Sequence, residues 1–145
     1  MITVPDPGGL CSTWTDREQF TYQGHSLELR YQTEPPHGDF LYSLTLSLNV
    51  AKYRLPLWVY GRSLFFFGPS LLLAESVPAR SISNLKSVVI DLSSARYALL
   101  DSWYHQPQLT EQGLLLTGFH GGASLLLTPS TPLIWQKFYC EGVHP

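Results

Sequence analysis

Apolar and polar positions alternate most regularly across residues 42–50, where Tyr42, Leu44, Leu46, Leu48 and Val50 are separated by Ser43, Thr45, Ser47 and Asn49. A period of two puts the apolar set on one face of a strand and the polar set on the other, so this strand is half-buried. Residues 26–33 repeat the pattern, with Leu27, Leu29 and Tyr31 between Glu28, Arg30 and Gln32. Elsewhere the alternation fails. Phe65, Phe66 and Phe67 stand before Leu71, Leu72 and Leu73, and Leu114, Leu115 and Leu116 before Leu125, Leu126 and Leu127, each pair set around a Gly-containing turn. Successive side chains of a strand point to opposite faces, so these segments are apolar on both sides. Each side needs cover.

Turn residues divide the rest. Gln23 and Gly24 join a strand at 19–22 to the strand at 26–33, and residues 34–39, with Pro35, Pro36 and Gly38, form a loop. A strand follows at 54–60, where Pro56 removes a backbone donor and so calls for an edge or a bulge. Gly61 turns the chain into a hairpin of 63–67 and 70–77 across Gly68 and Pro69, and after a loop at 78–83 Val88, Val89 and Ile90 mark a buried strand at 87–92. Residues 93–104 carry two periods. Ala95, Leu99 and Trp103 recur at helical spacing behind Ser94, whereas Tyr97, Leu99 and Asp101 alternate, and strand is favoured. Residues 106–112 are polar, contain Pro107 and read as a loop. A second hairpin joins 114–119 to 123–128 through His120, Gly121 and Gly122, and a last strand occupies 133–139. A further helical signal is Thr15 with Glu18, at capping-box spacing within 14–20. About ten short strands, with turns every 8 to 12 residues, predict an all-β fold. The expectation is one antiparallel domain over residues 1–145, a sandwich or barrel with at most one or two short helices and an irregular segment at 1–13.

Composition narrows the partners. Apolar residues make up 44% of the 145-residue chain and charged residues 14%, against a usual charged share of roughly a quarter. So few charges imply that part of the surface is buried in an interface. A net charge of −2 and a pI near 6.2 argue against a nucleic-acid partner, because domains that grip phosphate backbones carry a basic patch. No apolar stretch reaches the ~18 residues of a membrane span, so no membrane association is expected. The opening lacks a basic start followed by an apolar core, so no signal peptide is expected and a cytoplasmic location is the default. Cys11 and Cys140 stand near opposite ends of the chain. Reduced thiols fit that compartment better than a disulfide closing so long a loop.

Chemical motifs are sparse. The histidines, His25, His37, His105, His120 and His144, show neither a helical HxxxH nor an HxH spacing, so no metal site is expected. Cys140 with His144, and His37 with Asp39, are pairs without a third ligand nearby. Ser63 and Ser124 each follow a glycine two positions back but lack the second glycine of a nucleophile elbow. The sharpest acid/base grouping is Asp101, His105 and Glu111, around the loop expected at 106–112; such groups acquire useful pKa values only when buried together. The glycines at 118–122 precede neither a lysine nor a helix, so no phosphate loop and no cofactor is implied.

Two functions of different class follow. The first is a non-catalytic binding or interaction module that acts through an apolar sheet face, as a homodimer or with a partner protein, with Trp58, Tyr60, Phe66, Leu72, Leu115 and Leu126 as its contact residues. Several large apolar side chains left in water together forfeit about 1.5 to 3 kcal/mol each, which favours association. The second is a small β-barrel carrier of an apolar ligand, or an enzyme with an apolar cavity and its acid/base cluster near Asp101 and His105.

Overall fold

The structure is a computed structural model that describes residues 1–81, 83–118 and 122–143. Phe119, His120, Gly121 and His144, which entered the expected second turn and the histidine set, lie outside the described residues. In chain order the strands are β1 (Ile2–Val4), β2 (Gly9–Cys11), β3 (Arg17–Tyr22), β4 (His25–Thr33), β5 (Leu41–Leu48), β6 (Ala51–Tyr60), β7 (Leu64–Phe67) and β8 (Leu71–Pro78). They continue as β9 (Lys86–Asp91), β10 (Arg96–Leu99), β11 (Tyr104–Leu109), β12 (Leu114–Gly118), β13 (Leu125–Leu127), β14 (Gln136–Lys137) and β15 (Tyr139–Val143). The fold is all-β, and no helix occurs among the described residues.

The strands form a twelve-stranded sheet and a three-stranded sheet, so the chain is a sandwich-like assembly and not a barrel. The large sheet runs β1-β3-β4-β5-β6-β8-β9-β10-β14, with β7 bridging β2 and β8, and β15 beside β6. It folds over on itself because β6 and β8 change partners along their length. Residues 51–54 of β6 pair with β15, whereas Leu57, Trp58 and Val59 pair with β8. Pro56 lies between these stretches, where the register with β5 shifts, so the missing donor falls at a bulge as expected. On β8, Leu71, Leu72 and Leu73 pair with β7, and Ser76, Val77 and Pro78 pair with β6.

The main core fills the space between the two halves of the folded sheet. Phe20, Tyr22, Leu29, Leu44 and Leu46 from one half meet Phe66, Leu72, Val88 and Ile90 from the other. The rings of Phe20 and Tyr22 approach Phe66 with centroids 5.9 and 5.2 Å away, and the Tyr22 hydroxyl donates to the Gly68 carbonyl. The opposite face of the same strands builds a second core: Phe65, Phe67, Leu73 and Val89 lie under Tyr104, Leu114, Leu116 and Leu127 of the three-stranded sheet β11-β12-β13. This small sheet is the cover that the two-faced apolar strands required.

Several expectations need correction. Phe66 and Leu72, expected on an exposed apolar face, are fully enclosed in the main core at 0% exposure, because the layer that meets them belongs to the same chain. The segment expected to be irregular at 1–13 contains β1, which pairs in parallel with β3, and β2, which pairs with β7. The helical signal at 14–20 loses to cross-strand pairing, as Arg17–Tyr22 runs antiparallel to β4 across the Gln23-Gly24 turn. Both turn residues take positive φ, 49° and 78°, the geometry a two-residue hairpin prefers. Residues 106–112 are not a single loop, because β11 continues through Pro107 to Leu109 across a register shift between His105 and Gln108. The last expected strand is two, β14 and β15, on different partners.

Candidate functional site

The sheets do not close fully against each other. A cleft of about 490 Å³ remains between them, walled on the large sheet by Phe67, Leu71 and Val89 and on the small sheet by Leu109, Leu114 and Leu127. Pro69, Pro129, Leu133 and Trp135 complete its apolar rim. Local sequence makes this shape. Leu71 and Phe67 are cross-strand partners and so stand on one face of the β7-β8 hairpin, while Leu114 and Leu127 are partners on the facing sheet. The stretch from Leu127 to Trp135 then crosses the open side, held in a turn by hydrogen bonds from the Thr128 and Thr131 amides to Thr131 Oγ1 and the Thr128 carbonyl, 2.8 and 3.1 Å.

No ionisable side chain lines the cleft among the described residues, and its polar groups are the hydroxyls of Thr110, Thr128 and Thr131. All three are already engaged: Thr110 Oγ1 donates to the Gly113 carbonyl at 2.9 Å, and Thr128 Oγ1 and Thr131 Oγ1 share a hydrogen bond of 3.2 Å. Such a surface offers dispersion and desolvation rather than proton transfer.

A charged cluster lies elsewhere, where the loop before β5 meets β7 and β8. Arg62 pairs with both Asp39 and Glu75, the latter at 3.0 Å, and its guanidinium carbon sits 4.3 Å from the centroid of the Tyr60 ring. His37 extends the chain, 3.3 Å from Asp39 and 3.3 Å from the Tyr60 hydroxyl. Burial pushes the Glu75 carboxyl above its ordinary value and outweighs the pull of Arg62. With both carboxylates committed to Arg62, the cluster clamps the loop to the sheet. Beside it is a second cleft of about 380 Å³, lined by Glu75, Ser87, Trp103, Tyr104 and His105 among others.

The residues nominated from sequence scatter. His105 lines the cleft beside Glu75, Asp101 accepts a 2.6 Å hydrogen bond from the Tyr104 hydroxyl, and Glu111 is exposed in the turn between β11 and β12. The strand between His105 and Glu111 separates them by on the order of 15 Å, so the three do not form one acid/base site. Trp58 packs half-buried beside the small cluster of Leu41, Tyr60 and Val77. Tyr60 is buried at 3% exposure, Leu115 is half-buried on the outer face of the small sheet, and its cross-strand partner Leu126 is exposed at 39%. Sequence missed Leu133, whose apolar character was assigned to a strand. It also missed Glu75, although a carboxylate inside the apolar run from Leu71 to Val77 was the available sign of a buried ion pair.

No protein-family model, curated protein or solved structure matches the chain.

Proposed function

We propose that the chain is a non-catalytic binding protein that holds an apolar small molecule in the cleft between its two sheets. The observation that carries this is the cleft's combination of size and lining: about 490 Å³, apolar on both walls and without an ionisable group among the described residues. Small-molecule sites span roughly 300 to 1,000 Å³ with mostly apolar walls. The face expected from sequence, that of Phe66 and Leu72, is enclosed, and the cleft lies instead against the opposite face of β7, β8 and β9. The small sheet covers most of that face, and the cleft runs along Phe67, Leu71 and Val89, where the two sheets do not close fully. With Phe66 and Leu72 enclosed, the reading does not require a second copy of the chain. The free thiols, half-buried Cys11 and exposed Cys140, suit a reducing compartment such as the cytoplasm.

Titration with Nile red, a neutral polarity-sensitive dye, tests the reading. Saturable fluorescence is expected from the native chain and its loss from Leu71→Trp, which fills the cleft with an indole; undiminished dye binding by a folded Leu71→Trp would refute the site.

A further inference from the structure

Trp135 has one neighbour that the apolar cleft does not explain. The guanidinium carbon of Arg96 lies 5.6 Å from the centroid of its ring, within cation–π range. Trp135 lines the cleft between the sheets, and Arg96 lines an adjoining open cleft of about 600 Å³ together with Lys137, His25, Tyr53 and Asn49. Arg96 and Lys137 are directly opposed on β10 and β14. Like charges so placed repel, which costs stability unless something offsets them. Among the described residues neither makes an ion pair, and no carboxylate lines their cleft.

The nearest acid in the sheet makes no ion pair with Arg96. Asp91 is the cross-strand partner of Arg96 on the other side, but its carboxylate accepts hydrogen bonds from the hydroxyls of Ser70, Ser93 and Ser94 at 2.8, 2.7 and 2.9 Å. It reaches Arg96 only through Ser94, whose hydroxyl accepts from Arg96 Nε at 3.1 Å. Arg96 thus reaches the apolar cleft through its contact with Trp135, and Lys137, opposite Arg96, lines the same open cleft as Arg96.

We infer that the ligand is an anionic amphiphile: a free, single-chain molecule whose apolar tail lies between Leu71, Val89, Leu127 and Trp135 and whose carboxylate or similar anionic head pairs with Arg96 and Lys137. This assignment rests on the cleft being a binding site and adds the charge of what enters it. A planar guanidinium suits a carboxylate through paired hydrogen bonds, and Lys137 adds a point charge.

Calorimetric titration of the full chain with decanoate and with decanol separates the two claims. Decanoate is expected to bind about ten-fold more tightly than decanol, and Lys137→Gln with Arg96→Gln is expected to lower the decanoate-to-decanol affinity ratio by about ten-fold. Raising ionic strength is expected to weaken decanoate alone. Equal affinities for the two probes, or a ratio unmoved by the substitutions, would overturn the anionic head while leaving the apolar cleft standing. Binding of neither probe would overturn both.

Discussion

Phe66 has no solvent exposure and is packed on two aromatic rings of the opposite layer, whereas Leu126, also at the centre of an apolar triplet, is 39% exposed. The two therefore differ sharply in what they contribute. Phe66→Ala is expected to cost about 3 to 5 kcal/mol in urea denaturation and Leu126→Ala less than about 1. A different residue contributes to the acid limit. Burial of the Glu28 carboxyl acts to raise its pKa, but hydrogen bonds from Arg30, Arg17 and Gln19 prevail and lower it from the ordinary 4.5 to about 2. Since the folded value lies below the unfolded one, this stabilisation is complete above about pH 4.5 and disappears as the pH falls toward 2. Denaturation measured across that window is expected to show a shallower decline for Glu28→Gln than for the native chain, and parallel curves would contradict the assignment.

The three-stranded sheet is the element on which both the second core and the cleft depend. Ser87, buried in β9, ties it down: its amide donates to the Ser102 carbonyl at 3.0 Å, its carbonyl accepts from the Leu100 amide at 2.9 Å, and its hydroxyl accepts from the Tyr104 amide at 2.9 Å. At the far end, Gly113 has φ +152°, and an added Cβ would collide with the Leu127 carbonyl oxygen. Gly113→Ala is expected to weaken the sheet by about 1 to 3 kcal/mol. In hydrogen exchange, amides of β12 would lose protection while those of β3, β4 and β5 keep theirs; a uniform loss would mean that the small sheet does not open separately. This element was only half legible in sequence. The Leu triplets announced β12 and β13, but β11 was hidden by Pro107 and the bulge between His105 and Gln108, which break the period-two pattern. Without β11 the covering sheet could not be recognised, so a packed sheet, a partner chain and a ligand all stood as candidates for the cover. Residues 42–48 were easier to read, because one face meets the core and the alternation survives; Val50, expected on the same face, lies in the turn after β5 and is 59% exposed.

For the molecule as a whole, local patterning identified the strands that needed cover on both sides, and long-range pairing decided what supplied it. The partner changes along β6 and β8 fold one sheet over itself, and that event has no signature in a short window beyond Pro56. The binding cleft follows from the same topology, since it is the part of the outer sheet face that β11, β12 and β13 leave open. Its location is therefore the central claim. Methyl-resolved NMR during titration with the neutral probe decanol tests it most directly. Saturable shifts are predicted for Leu71, Val89, Leu114 and Leu127, with Leu29 and Leu44 of the main core unmoved; absent shifts at those four residues, or equal shifts in the main core, would contradict it.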